Sequence, residues 1–491
     1  MDRQCSRCVD AEASGVVLLL PPVGRQCYTL NVCAQIYFPC RRGKRENEPG
    51  RNGLNLLRAI CALVLIAAVP RAAAAAEGVA AWTPWLDSPA ASSAAPAPVF
   101  PGERELASLR ANRAWLERWS AQAPSVAWND VVAELVVKYQ QNPLRAARAY
   151  TYVHTAIHDA LVECARRGCE SPVRAIAMHA AASRMLDHLY PTESRGRMEA
   201  LGHSAATAVL AANGSHRQAL LAWQTGCAVA ETAIRRALYD GWDLPRLPAK
   251  RPAPGPGVWR AAPPINIYDP IEPHAGAWRT WVLKDGSELE PPPPLEFGAA
   301  AYWAEVDEVY TVWKNLTPAQ KRIAEEWNLD AGSVTPPGVW NLHAKKLVKE
   351  KNLDLAGAAR VFSTLNAAMM DAFIACWHAK YKWWTERPVT IIRERRDKEF
   401  MPHIVTPGFP SYVSGHSSVS GAAATVLADF FPESAAGLKR MAQEAAISRL
   451  YGGIHFTSDN EAGLVLGAQI GARALARLRT PAPAQSSATT R

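Results

Sequence analysis

A chain of 491 residues, 49% of them apolar, is too long for one small core and has the area for a large interior, so two domains are expected. The net charge of +9 suggests nucleic acid, but residues 1–76 alone carry ten Lys/Arg against five Asp/Glu. The remainder has no Lys/Arg block long enough to track a phosphate backbone, and no nucleic-acid partner is expected.

Residues 1–76 read as a leader. It holds six of the ten cysteines, and an export signal fits within about 51–76. Arg51 and Arg58 form a basic start, Ala59 to Val69 an apolar run, and Ala72 to Ala76 offer small-residue cleavage sites. The apolar run is shorter than the ~18–20 residues that span a bilayer, and Pro70-Arg71 interrupts it. Because such a signal normally opens a chain, two readings compete, a start assigned too far upstream or a genuine leader; the first is preferred. The expected destination is the periplasm or the extracellular medium. Beyond residue 77 no uncharged apolar run is long enough for a membrane span. Cys164 and Cys169 either pair in an oxidising compartment or stay as two small buried thiols.

Residues 77–102 are expected to be a Pro/Ala/Ser linker. From 103 to 243 the text is helical, with Leu106, Leu109, Trp115 and Trp119, then Ala147, Tyr150, Val153, Ile157 and Leu161, at helical intervals; segments 177–189 and 195–212 continue it. A bundle of four or five helices follows. Prolines crowd 244–298, a connector held to the surface by Trp259, Trp278 and Trp281. A second bundle covers 299–478, with helices over about 339–350, 353–384, 415–430, 434–450 and 457–478. Thr317, Pro318 and Gln320 form a capping box, the preferred reading over a glycosylation sequon at Asn315. Gly463, Gly467 and Gly471 make a smooth stripe for close helix packing, and 479–491 is a disordered tail. The fold class is all-α, two helical bundles. Nothing in the pattern specifies an oligomeric state.

Three segments carry chemistry. In Lys380-Tyr-Lys-Trp-Trp-Thr-Glu-Arg387-Pro388, Lys380 and Arg387 are two helical turns apart and share a face, with Pro388 marking the exit from the helix. Two such cations repel unless an anion lies between them; the alternative is a solvated basic face. In Phe409-Pro-Ser-Tyr-Val-Ser414-Gly415-His416, Ser414 and Gly415 fall at a helix N-terminus, where free N–H groups bind anions. His416 stands beside them as an acid/base; the alternative is plain capping and a surface histidine. In Ser448-Arg449-Leu-Tyr-Gly-Gly-Ile-His455-Phe-Thr-Ser-Asp459, Arg449 is a forked donor for an oxyanion. Asp459, four residues on, can hold one nitrogen of His455 and present the other as nucleophile or ligand. A satisfied surface pair is the alternative.

Taken together, Lys-x6-Arg-Pro, Ser-Gly-His and Ser-Arg-x3-Gly-x-His-x3-Asp within 80 residues resemble the superfamily of type 2 phosphatidic acid phosphatases, bacterial acid phosphatases and vanadium-dependent haloperoxidases. Val413 departs from the proline usual before Ser-Gly-His. Two bundles with the site in the second resemble the haloperoxidase branch, and Trp377 and Phe409 are similar to its pocket aromatics.

The resemblance implies that Lys380, Arg387, Arg449, Ser414 and Gly415 bind the oxyanion. It also implies that His455 bonds vanadium or attacks phosphorus, that His416 is the acid/base and that Asp459 orients His455. Three functions follow. The first is an exported haloperoxidase using vanadate to oxidise halide with hydrogen peroxide. The second is a secreted phosphatase that needs no cofactor and cleaves a phosphomonoester through a phosphohistidine at His455. The third is an inactive oxyanion-binding relative, against which the complete residue set speaks. His154 and His158, one helical turn apart, are read as packing residues, since no third metal ligand is evident. Trp383-Trp384 either lines a substrate entrance or packs between helices.

Overall fold

The computed structural model describes residues 78–87, 99–193, 196–243 and 251–480. The export segment, most of the Pro/Ala/Ser stretch and the tail after Thr480 lie outside them. Among the described residues the protein is all-α, with fifteen helices, no strand and one isolated bridge between Val258 and Thr385.

The first seven helices are α1 (Glu103–Leu109), α2 (Arg113–Leu116), α3 (Pro124–Lys138), α4 (Pro143–Arg166), α5 (Arg174–Leu189), α6 (Arg197–Asn213) and α7 (His216–Leu238). After the connector come α8 (Ala300–Lys314), α9 (Pro318–Glu326), α10 (Thr335–Glu350), α11 (Leu355–Trp383) and α12 (Pro388–Arg395). The last three are α13 (Gly415–Phe430), α14 (Ala435–Tyr451) and α15 (Thr457–Arg479).

Two helices are buried nearly all round and form the spine. Helix α4 starts where Asn142 accepts the Arg145 N–H, with Pro143 already fixed at a helical φ. Helix α11 starts at Asp354, which accepts the Gly357 N–H, and runs for 29 residues, about 43 Å at 1.5 Å per residue. A helix buried on every side must lie in an interior, and these two lie against each other. The Thr151 hydroxyl donates to the Asn366 carbonyl across their contact at 2.9 Å. One apolar core therefore contains residues from both sets of helices.

The connector is fastened as its tryptophans suggest, for Trp259, Trp278 and Trp281 are all buried. Asp371 of α11 takes the backbone N–H groups of Trp281, Val282 and Leu283. Part of the stretch read as linker is packed too. Trp85 and Leu86 are buried, and both donate their N–H groups to Asp159 of α4. Aromatic burial outweighs the Pro/Ala/Ser composition there.

The glycine stripe brings α15 against α13. A Cβ at Gly467 would lie 1.9 Å from the Ser418 carbonyl oxygen, and one at Gly463 would lie 2.7 Å from that of Ser414. Only bare backbone permits that approach. The stripe thus sets the N-terminus of α13 beside that of α15. The capping box at Thr317 and Gln320 is present. No described helix is long and apolar enough to cross a membrane.

Candidate oxyanion site

The site lies where five helix ends meet. Lys380 is in the last turn of α11 and Arg449 in the last turn of α14, so both cations sit at the negative ends of helix dipoles. Ser414 caps α13 and Gly415 is its first residue. Asp459 lies in the first turn of α15, and His455 precedes that helix.

Arg387 reaches the site differently from the sequence expectation. Helix α11 ends at Trp383, because Trp384 turns into the left-handed region at φ 50°. Arg387 is extended and caps α12, whose first residue is Pro388. Lys380 and Arg387 therefore share no helix face; a reversal of the chain brings them together, and Pro388 opens a helix instead of closing one. Trp384 is buried against Trp259 and Tyr381, which is the packing role.

All three cations are buried. The Lys380 ammonium donates to the carbonyls of Pro410 (2.9 Å) and Ser411 (2.7 Å). Burial pulls it down to about 7. Arg387 donates from Nε to the Phe409 carbonyl at 2.9 Å and from Nη1 to the Ile454 carbonyl at 2.7 Å. Nη1 also lies 3.0 Å from His455 Nε2. Arg449 donates to Ser448 Oγ at 2.9 Å and to the Ala324 carbonyl at 3.2 Å. Burial brings Arg387 down to about 10 and Arg449 to about 9, the latter against the opposing charge of Asp330. So much buried positive charge, met by neutral carbonyls and few acids, is costly unless an anion joins it.

The histidines are held in defined tautomers. Arginine can only donate, so His455 Nε2 facing Arg387 must carry a lone pair, and the proton sits on Nδ1. That proton goes to Asp459 Oδ2 at 2.8 Å. Burial, with Arg387, Lys380 and Arg449 nearby, holds the His455 ring well below the ordinary histidine range, hence neutral. Burial also pushes the Asp459 carboxyl up, while Ser411, Lys380 and Arg387 pull it back. At His416 the Trp327 and Asn328 carbonyls take one ring N–H, and burial with Arg449 keeps the ring well below its usual range.

Two buried polar atoms of this cluster have no protein partner, Arg387 Nη2 and His416 Nε2. The first is a charged donor without an acceptor and the second a ring lone pair without a donor, and an oxyanion carrying a proton would meet both. Arg387 Nη2, the Lys380 and Arg449 cations and the free end of α13 form a donor set that fits a tetrahedral or five-coordinate oxyanion. Trp377 and Phe409, 4.9 Å apart, cover one side; the Phe409 ring lies 5.0 Å from Lys380 Nζ and 4.9 Å from the Arg387 guanidinium. Aromatic faces stabilise both cations and exclude water.

Every residue named from the three motifs therefore belongs to one cluster. Ser411 was missed. It is fully buried and touches both Asp459 and His455. No spacing rule could find it, since its partners lie 44 and 48 residues away. His154 and His158 lie elsewhere. His154 stacks on Phe362 at 4.6 Å and His158 on Trp82 at 5.6 Å. No group of three or more metal-ligating residues occurs among the described residues.

The chain has relatives among known proteins. Residues 360–439 and 434–482 match the family described as the VCPO second helical-bundle domain. The structure resembles that of the first bacterial vanadium-dependent iodoperoxidase, with a TM-score of 0.62 and 28% identity over 72% of this chain and 97% of that one. An apo-type bacterial vanadium-dependent chloroperoxidase shares the fold, with a TM-score of 0.57 and 17% identity over 69% of this chain and 94% of that one. An acid phosphatase of Zymomonas mobilis subsp. mobilis (strain ATCC 31821 / ZM4 / CP4) is 26% identical over 136 residues, 26% of this chain. The aligned part spans about half the length of that phosphatase.

Proposed function

Because the chain is an enzyme of the vanadium haloperoxidase and type 2 phosphatidic acid phosphatase superfamily, we propose that it is a vanadium-dependent haloperoxidase, oxidising halide with hydrogen peroxide. The observation that carries this reading is the convergence of Lys380, Arg387 and Arg449 on His455 Nε2, with Arg387 Nη2 and His416 Nε2 left for a guest. Coverage favours the peroxidase branch, since the likeness to the iodoperoxidase runs over nearly that whole chain, whereas the likeness to the phosphatase is partial.

Vanadate, when bound, supplies a Lewis-acidic centre for activating peroxide. Lys380, Arg387, Arg449, the Ser414 hydroxyl and the Gly415 amide would hold its oxygens, and His455 would supply the nitrogen ligand. The chain's own part is electrostatic preorganisation, with donors fixed by helix ends and backbone carbonyls before any guest arrives. His416 Nε2, unprotonated because the other ring nitrogen keeps the proton, accepts a proton from hydrogen peroxide and returns it to the departing oxygen. Asp459 keeps the His455 lone pair on Nε2. Trp377 and Phe409 exclude bulk water.

A second reading is favoured by the Zymomonas likeness: a phosphomonoesterase in which His455 Nε2 attacks phosphorus and His416 protonates the leaving group. The same cage serves both chemistries. Two assays on purified protein separate them, bromination of a phenolic dye with peroxide and vanadate, and hydrolysis of an aryl phosphate. Vanadate activates the first and inhibits the second. Absence of both activities, with vanadate affinity unchanged in His455→Ala, removes both readings.

Export to the periplasm or the extracellular medium is part of the proposal. The bridge between Cys164 and Cys169 supports an oxidising compartment, and residues 51–76 supply the signal. Mass spectrometry of the mature N-terminus tests it; a product beginning before residue 51 argues against cleavage there.

A further inference from the structure

Ser411 is held more tightly than a loop residue needs to be. Its N–H donates to the Thr385 carbonyl at 3.0 Å, and its carbonyl accepts the Lys380 ammonium at 2.7 Å. Its hydroxyl donates to Asp459 Oδ2 at 2.5 Å, and Oγ lies 3.3 Å from His455 Nδ1. The proton positions follow from the donors. His455 Nδ1 carries its proton, so the Ser411 hydroxyl cannot donate there; it donates to the carboxylate, and its lone pair faces Nδ1–H. Asp459 Oδ2 thus collects three donors, Ser411 Oγ–H, His455 Nδ1–H and, at 3.2 Å, Phe456 N–H.

We propose that Ser411 is a positioning residue for His455. Its hydroxyl closes a Ser–Asp–His ring that locks the imidazole orientation and tautomer, while its carbonyl ties Lys380 to the same unit. The proposal rests on the reading of His455 as the ligand or nucleophile of the oxyanion. An Asp–His pair alone lets the ring rock about its single contact; a third member contacting both partners removes that freedom. The ring also fixes relative placement, because one residue sets the Lys380 amine through its main chain and the His455 ring through its side chain.

Charge reinforces the geometry. Asp459 feels Lys380 and Cys376 from α11, Arg387 from the turn before α12, Tyr412 from the site loop, and Tyr302 and Glu305 from α8. Among these neighbours the Ser411 hydroxyl gives the carboxylate a short, charge-assisted hydrogen bond.

The test uses the full chain labelled with 15N-histidine, comparing the native protein with Ser411→Ala and Ser411→Thr, which keeps a hydroxyl. His455→Ala assigns the resonance. In Ser411→Ala the His455 Nδ1 proton signal should shift and broaden. Vanadate affinity should fall about tenfold. Ser411→Thr should restore much of both. The proposal is overturned if Ser411→Ala leaves the His455 signal as in the native protein. Equal losses in both variants, tracking melting temperature alone, overturn it as well. A protein with neither haloperoxidase nor phosphatase activity but with the expected nitrogen spectra loses the functional reading and keeps this one.

Discussion

The protein buries two histidine–carboxylate pairs of nearly equal geometry and uses them for different ends. His158 Nδ1 lies 2.7 Å from Asp159 in α4, and His455 Nδ1 lies 2.8 Å from Asp459 at the start of α15. In the first pair the carboxylate also takes the N–H groups of Trp85 and Leu86, and the ring stacks on Trp82. No permanent cation bonds that ring, so the pair is a clip for residues 82–86. In the second pair the far nitrogen meets Arg387, and the charges of Lys380 and Arg449 bear on the ring. The difference shows that a buried His–Asp pair is a structural unit of general use. An unpartnered ring nitrogen does not by itself mark a site, since His158 Nε2 has no partner; surplus positive charge is what makes the second pair one.

The largest expected effect follows directly. His455→Ala should lower peroxidase or phosphatase turnover by on the order of a thousandfold or more, as loss of a ligand or nucleophile does. His158→Ala should leave turnover per folded molecule unchanged. Steady-state rates for the two variants, corrected for folded fraction by calorimetry, break the comparison if they fall alike.

Next comes the fork. Arg387→Lys keeps a charge but loses the planar donor pair that reaches both the His455 side and the unpartnered Nη2 position. Turnover should drop about a hundredfold, the usual cost of one oxyanion donor. A drop below threefold would mean that charge alone suffices.

How much of this the sequence discloses depends on the range of each contact. Helices α13 and α15 are predicted almost to the residue, and local chemistry sits at both starts, Ser414-Gly415 in one and Asp459, which takes the Phe456 N–H, in the other. The Asp459–His455 contact is legible because it spans one helical turn. Arg387 is assigned to the site for a reason the structure overturns. Helical periodicity cannot foresee that Trp384 adopts positive φ and ends the helix early. Ser411 and the carbonyls of Ala324, Trp327 and Asn328 stay invisible, because their partners come from distant segments whose approach only the tertiary packing decides. The packed strap at Trp85 hides for a similar reason, its alanine- and proline-rich surroundings outweighing two buried side chains in any compositional reading.

The cationic surplus also predicts a pH signature that the His158 pair lacks. Burial brings Lys380 down to about 7, against an unfolded value of about 10.4. Between these values the unfolded chain binds the extra proton, so stability of the guest-free protein rises with pH across that window and is lowest below about 7. Anion affinity runs the opposite way, because the guest requires the charged amine. Sulfate keeps one charge state over this range, so the titration it reports belongs to the protein. Its affinity should weaken as pH passes about 7, approaching tenfold per unit, and Lys380→Met should flatten the profile. Identical profiles by calorimetry in native protein and variant would assign the titration to another group.

The smallest effect on the site, and the sharpest test of the contrast, is expected at Asp159. In Asp159→Ala the N–H groups of Trp85 and Leu86 and the His158 Nδ1–H all lose their acceptor. A buried donor left unsatisfied costs about 1–3 kcal/mol, reduced where water can follow the loosened strap. The melting temperature should fall by several degrees, with residues 78–87 becoming open to proteolysis. Vanadate affinity and its pH profile should stay within twofold of native, because no bond from Asp159 reaches the loops that carry Arg387, His416 or His455. The coupling route to examine is the shared spine, since α4 packs on α11 and α11 ends in Lys380. A tenfold loss of vanadate affinity in Asp159→Ala would show that strain at the strap passes along that spine, and the two pairs would then have to be treated as one system.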